Sequence, residues 1–344
     1  MKWIKIHKSG FALSVLAVLC LLVFFYSLSV GWQKIYMREV AECLGGILRN
    51  KIFGTPKTFH PQLEQVILRN HLPRALTGAV VGAALSAAGT VYQGIFRNPK
   101  VSPDFLGAST GAGFGAAIAI FWGWGTAAVM ANSFIFGLAA VFMAYTASLR
   151  GRGNPEMTLL LAGIMVGALF DSALSYLEAK SDPYTTLPDI TFWLMGSLVQ
   201  SDFKQLNFAL PWIMIGFVLL FFLRWPVNLM AMGDDEARTM GTATHLVRGL
   251  AIVAATLITA ASVSVSGKIG WIGLVIPHFS RMLVGHDCRV LLPVSMLMGS
   301  AFLMLIDIIA RYGEVEFPLG ILTAVVGAPF FIYLLLSRKN KMAR

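Results

Sequence analysis

Three groups of side chains in this sequence could do chemistry, and each stands in or beside an apolar run. Asp171 interrupts the run from Leu159 to Leu177, where burying a carboxylate in hydrocarbon is costly enough that such residues pair or carry ions. A hydrogen bond to Ser172, Ser175 or a neighbouring helix is the structural alternative; a role in a translocation path, with Asp171 and Ser172 as its candidates, is the chemical one. Arg74 and Arg311 border apolar runs, and Asp307 precedes Arg311 by one helical turn, so an i,i+4 pair is within reach. Arginines at such borders either anchor to headgroups or offer their forks to acidic residues of an external partner. The third group is Met232-Gly233-Asp234-Asp235-Glu236-Ala237-Arg238-Thr239-Met240-Gly241. An acidic first turn, Arg238 near the end and a terminating Gly241 make it a short helix with a complemented dipole. Held between two apolar runs, it either docks into a groove on another protein or is a solvated loop with a helical turn.

Other chemistries find no support. Gly267-Lys268 comes nearest to a phosphate-binding loop, but Ser262 replaces the upstream glycine and Ile269 the following Ser or Thr, so any ATP is hydrolysed on another chain. No HExxH, GxSxG or carboxylate pair at catalytic spacing occurs, so neither an enzyme nor a cofactor is expected. Cys20, Cys43 and Cys288 show no metal-ligand spacing, which leaves no zinc site or disulfide framework. His278 follows Pro277, where a kinked helix needs His278 or Arg281 for local hydrogen bonding.

The elements that must carry these groups follow from composition. Of 344 residues, 57% are hydrophobic and only 13% charged, with mean hydropathy +0.72, which excludes an ordinary soluble domain. The chain is expected to be a single all-α polytopic membrane domain over residues 1–344. Apolar segments near 11–32, 75–95, 104–122, 127–148, 158–178, 207–223, 248–266, 269–285, 290–311 and 318–337 make about ten spans. Ile190 to Val199, after Pro188, has half a span's length and reads as a re-entrant or interfacial helix. The first apolar run is too long for a signal peptide and lacks an Ala-x-Ala exit, so it is read as a retained span.

The net charge of +10 comes from 27 Lys and Arg against 17 Asp and Glu. With both termini inside, 16 of the 27 cations face inward, and most of the others lie in one long outer loop where charge counts for less. The resulting map has a cytoplasmic N-terminus at 1–10, an outer loop at 33–74, a cytoplasmic loop at 228–246 around the acidic helix, and a cytoplasmic tail at 338–344. Within the outer loop Val40, Cys43, Leu44, Ile47 and Leu48 fall at helical spacing among charges, which predicts an amphipathic surface helix. Gly78 and Gly82, Gly107, Gly111 and Gly115, and Gly163 and Gly167 lie at small-xxx-small spacing, the mark of close helix packing.

The order of several motifs resembles the FecCD family of ABC importer permeases. His71-Leu72-Pro73-Arg74, Gly78 to Gln93, Phe96-Arg97-Asn98-Pro99, Pro103 and Leu106-Gly107 are similar to its opening. Leu159 to Gly163, Phe192 to Ser197, Gly270 to His278 with Arg281, Leu291-Leu292-Pro293, Asp307 with Ala310-Arg311, Glu316 to Gly320 and Gly327 to Phe330 continue the resemblance to about residue 337. The resemblance implies a ten-span subunit that pairs with a second permease, two cytoplasmic ATPase subunits and an extracytoplasmic solute-binding protein, in a bacterial or archaeal cytoplasmic membrane. It implies passage of a ferric siderophore, haem or cobamide, or in some branches molybdate or tungstate. It makes the helix at 232–241 the coupling element, with Asp234, Asp235, Glu236, Ala237, Arg238 and Gly241 meeting the ATPase. It makes Arg74 and Arg311 docking residues for the binding protein. Two departures stand out. His71 replaces an arginine common in the family, so Arg69 compensates, docking weakens, or docking becomes pH-sensitive. Lys100 replaces an apolar residue, for which the sequence offers no account. The rival class is a secondary transporter with an ion site at Asp171, which requires two inverted halves; residues 1–170 and 171–344 show no convincing repeat.

Overall fold

The computed structural model describes residues 2–31, 35–53, 61–151, 154–313 and 315–342. Lys34, Lys57, Arg152 and Arg344, which enter the charge balance, and the end of the expected 338–344 tail lie outside them. In chain order the helices are α1 (Lys2–Ser27), α2 (Met37–Phe53), α3 (Pro61–Val66), α4 (Leu72–Ile95), α5 (Ala108–Phe121), α6 (Thr126–Leu149) and α7 (Pro155–Lys180). They continue with α8 (Thr186–Leu194), α9 (Phe203–Met230), α10 (Asp234–Thr239), α11 (Thr244–Ser266), α12 (Ile272–Val284), α13 (Cys288–Ala310) and α14 (Leu319–Met342). A π-helical turn, Ile67–His71, joins α3 to α4, and a 3-10 turn, Pro103–Leu106, precedes α5. No strand occurs among the described residues.

Local chemistry starts these helices where the chain leaves a loop. Asn154 caps α7 by accepting from the Glu156 amide, with Pro155 at the first helical position; Asp202 caps α9 through the Gln205 amide; Asp287 caps α13 through the Arg289 amide. Each satisfies a donor that the helix cannot satisfy itself.

Among the described residues seven helices are long and apolar enough to cross a membrane, and the apolar helices Ala108–Phe121, Ile272–Val284 and Leu319–Ile332 are shorter. All fall in the expected segments, with two corrections. The second segment does not begin at 75: helix runs from Pro61 through the π turn, which takes Leu63, Val66 and Ile67 out of the expected outer loop. They fold because α2 lays Val40 and Cys43, with Leu44 and Ile47 at its margin, over Ile67 and Ala75. The predicted amphipathic helix therefore covers protein with its apolar face. The second correction is α8, which starts before Pro188 rather than after it, because the first turn of a helix tolerates proline.

Helix α4 is the axis of the molecule. In the segment Gln62–Ile95, 83% of the most apolar window is buried, against 11% for α1, so α1 is peripheral. The burial of α4 depends on small residues. A Cβ on Gly82 would run into the Gly299 carbonyl of α13, and the crossing is sealed by Ser86 Oγ donating to the Ser295 carbonyl (2.8 Å) and Ser300 Oγ to that of Ala79 (2.7 Å). Gly111 and Gly115 bring α5 equally close to Phe136 and Asn132 of α6. Such contacts let backbones approach where lipid supplies no hydrophobic drive between helices.

Candidate functional site: two ion clusters and a charged pair between them

At one end of α4, directly after the π turn, stands Arg74. Its Nε and Nη2 donate to Asp307 Oδ1 (3.0 and 2.8 Å), while Nη1 and Nη2 hold Glu316 Oε1 and Oε2 (3.0 and 2.8 Å). Arg311, the C-cap of α13, places Nη2 2.8 Å from Asp307 Oδ2 and donates to Ser27 Oγ at 2.6 Å. Its Nη1 donates to the carbonyls of Ser27 and Val30 at the end of α1. His71 donates Nδ1–H to the Leu28 carbonyl (2.7 Å), and Gly31 lies so near the ring that a Cβ there would come within 2.6 Å of Nε2. Two cations and two carboxylates thus tie α1, α4, α13 and the turn before α14 into one neutral cluster.

The resemblance makes Arg74 and Arg311 docking residues; in the structure both are buried, only 9% and 8% exposed. Asp307, 1% exposed, is the reason: a carboxylate this deep needs both guanidiniums, and their forks find full partners within the chain. His71 is buried as well, so among the four expected docking residues only Arg69 is exposed. Glu316 keeps part of its side chain in the open.

The other end of α4 carries a second cluster. Arg97 Nη2 donates to Glu156 Oε1 (2.8 Å), the same oxygen receives Arg248 Nη2 (3.2 Å), and that nitrogen also donates to Asp234 Oδ1 and Oδ2 (2.8 and 2.9 Å). Asp234 begins α10, Arg248 lies near the start of α11, and Glu156 opens α7. The six-residue α10 is thereby held from beneath, with Ala237 completely buried in the main apolar core. Asp235, Glu236, Thr239 and Gly241 are exposed, flanked by exposed Met232 and Met240. Arg238 reaches back to Thr244 Oγ1 (3.3 Å), and Gly241 closes the helix with φ +80° and nothing within 4 Å of a would-be Cβ. Of the six residues the sequence assigned to this element, Asp234 and Ala237 face the body of the protein and the other four face away.

Asp171 lies in the C-terminal half of α7, about four turns along the helix from Glu156. Its side chain is 55% exposed, and its ion partner is Lys268 Nζ at 3.8 Å, on the connection between α11 and α12. The lysine stem crosses α5 at Gly113, where a Cβ would lie 2.5 Å from Cε. Ser172 Oγ bonds back to the Ala168 carbonyl (2.8 Å). Ala168, Asp171, Ser172 and Ser175 form one exposed stripe of small and polar residues, while Met157, Leu161, Met165 and Leu169 form an exposed apolar one. Nearby, α8 is pinned by backbone bonds from Ser197 N to the Ser266 carbonyl (2.8 Å) and from Gly320 N to the Met195 carbonyl (3.0 Å).

Sequence reasoning missed Glu156, Arg248, Glu316 and Lys268. Only Glu156 carried a local signal, following Asn154-Pro155 in a helix-start pattern. The rest are ordinary span-end charges until the fold brings their partners to them.

A profile described as the FecCD transport family matches residues 19–337. The molybdate import system permease protein MolB of Haemophilus influenzae is 37% identical over 335 residues, 97% of this chain and 96% of that protein. The cobalamin import system permease protein BtuC of Halobacterium salinarum is 39% identical over 289 residues, covering 83% and 76%. The hemin transport system permease protein HmuU of Yersinia pestis is 36% identical over 282 residues, covering 80% and 84%. Among solved structures, a metal-chelate type ABC transporter in an inward-facing conformation superposes with a TM-score of 0.83 at 35% identity, covering 94% of this chain and 98% of that one.

Proposed function

The chain belongs to the FecCD transport family, and on that premise we propose that it is the passage through which a metal chelate, a ferric siderophore, haem or cobamide, enters the cytoplasm. It is a multi-pass membrane protein and the permease component of an ABC importer. In this reading the seven long and three shorter apolar helices make ten spans, both termini face the cytoplasm, and a second copy of the chain completes the path. ATP is hydrolysed on two separate cytoplasmic subunits. A solute-binding protein delivers the cargo at the end that carries the Arg74 cluster, where Arg69 and Glu316 are exposed and Arg74, Arg311 and His71 hold the surface in shape.

One observation carries the reading. Helix α10 turns Met232, Asp235, Glu236, Thr239 and Met240 outward while Asp234 and Ala237 fasten it to α11 and the core. A purely solvated loop has no need of a buried anchor, whereas a helix that receives force from a partner does. The stripe Ala168, Asp171, Ser172 and Ser175 supports a path along α7, because an exposed carboxylate in a span is sustainable only beside water or protein. The rest of the path needs little specific chemistry, so selectivity rests mainly with the binding protein.

The test is uptake into proteoliposomes containing the chain with its ATPase and binding protein, offered a ferric siderophore, haem, cobalamin and molybdate in parallel. ATP-dependent uptake of one cargo, requiring all components and lost in Gly241→Pro, is the expected result. Uptake of molybdate alone would replace the chelate by an oxyanion. Uptake without the ATPase that collapses with the proton gradient and with Asp171→Asn would overturn the reading in favour of a secondary transporter.

A further inference from the structure

We infer that Glu156 and Arg248 form a relay that carries the displacement of α10 into α7 and α4, and so set how much cargo moves for each ATP hydrolysed. The inference rests on the importer reading above and adds to it residues outside α10 that meet neither nucleotide nor cargo.

The relay passes through single atoms. Arg248 Nη2 is shared between Asp234 (2.8 and 2.9 Å) and Glu156 Oε1 (3.2 Å), and Glu156 Oε1 is shared between Arg248 and Arg97 Nη2 (2.8 Å). The four charges come from four places: α10, the start of α11, the start of α7 and the residue after Phe96, which caps α4. Arg248 is 5% and Glu156 8% exposed. At that depth a charge that loses its partner is costly, so partners move together rather than part. Displacing α10 without Arg248 would strand a buried guanidinium, and displacing Arg248 without Glu156 would strand a buried carboxylate.

The same guanidinium is incompletely used. Arg248 Nε and Nη1 are buried and make no hydrogen bond, although buried donors are nearly always paired. Those two donors give Arg248 the capacity for a second arrangement, which a relay between two states requires and a static brace does not. The apolar attachment of α10, through Ala237, would allow sliding; the ion chain resists it. Helix α4 then leads from Arg97 to the Arg74 cluster at the opposite end.

The importer reconstituted with its ATPase and binding protein, assayed for ATP hydrolysed and cargo taken up in the same vesicles, tests the relay. Glu156→Gln is expected to lower cargo moved per ATP by about tenfold, within the usual range for coupling between sites, with hydrolysis roughly as in the parent complex. Arg248→Gln should behave alike. Arg248→Lys, which keeps a cation between the two carboxylates, should recover most of the ratio. Asp234→Asn, at the partly exposed start of α10, should show the same loss without touching the buried carboxylate. Hydrolysis and uptake that fall in proportion in all these variants, or an unchanged ratio in Glu156→Gln and Asp234→Asn, would overturn the relay while leaving the importer standing. A parent complex with no ATP-dependent uptake of any cargo would overturn both.

Discussion

Arg74, near the start of α4, and Arg97, just past its end, are separated by a helical shaft roughly 30 Å long at 1.5 Å per residue, and each is gripped by a carboxylate distant in sequence, Asp307 and Glu156 respectively. The most buried helix of the fold thus joins two charged clusters, with an apolar, small-residue shaft between them. That shaft carries Thr77, Ser86, Thr90, Tyr92 and Gln93 but no acidic residue, so each arginine finds its carboxylate on another helix.

Removal of Asp307 should be the most damaging single change at the first cluster. Asp307→Ala leaves Arg74 and Arg311 facing each other without their shared anion, a loss of about 3–5 kcal/mol for breaking a buried pair from one side. Glu42→Gln, which removes only an exposed i,i+4 pair with Arg38, should cost no more than about 0.5 kcal/mol. Thermal unfolding of the purified protein in detergent compares them, and equal shifts would contradict the ranking.

Glycines should divide by what a methyl group would meet. Gly82→Ala drives Cβ into the Gly299 carbonyl and should destabilise by about 1–3 kcal/mol, as overpacking does. Gly45, in the helix α2 with nothing within 4 Å, should gain about 0.5–1 kcal/mol as alanine. Opposite signs in the same unfolding assay are the expected outcome.

The two exposed stripes of α7 should differ in accessibility. In a background without the three native cysteines, Ser172→Cys is expected to react with a small charged thiol reagent in membranes, and Leu161→Cys, on the apolar stripe, is not. Protection of Ser172→Cys by bound cargo would strengthen the path assignment, while inert cysteines at both positions would remove it.

Lys268 and Asp171 should act as a pair. Lys268→Met leaves a half-exposed carboxylate without its cation and is expected to cut uptake, with Lys268→Arg recovering most of it. The exchange Asp171→Lys with Lys268→Asp restores opposite charges at the same 3.8 Å approach and should transport better than either single change. Uptake equal to the parent's in Lys268→Met would dismiss the pair.

Thr239 reports which side α10 occupies. It is exposed, so Thr239→Cys in the same cysteine-free background should be labelled by an impermeant reagent in inverted vesicles and spared in intact cells. Labelling of intact cells would invert the topology.

Much of this molecule is local in origin. Length and hydropathy placed the apolar segments because a span's requirement for about 20 apolar residues is written into consecutive positions. The helix at Asp234–Thr239 was legible from its acidic first turn and from Gly241, since caps and stops act over a few residues. The extension of α4 back to Pro61 was not, because polar residues there fold only under cover of α2, which is a contact across the chain.

Charges divide along the same line. Sequence alone determined that Arg74, Asp307, Arg311 and Asp171 sit where a charge must find a partner, since that follows from the apolar residues beside them. Which partner each takes was decided by the tertiary structure: Asp307 draws both arginines inward, Gly113 lets Lys268 reach Asp171, and Arg248 takes Asp234 from the face of α10. Ion pairing in a low-dielectric interior depends on a few ångströms of separation, and separations between residues a hundred or more positions apart are set only when the helices have packed.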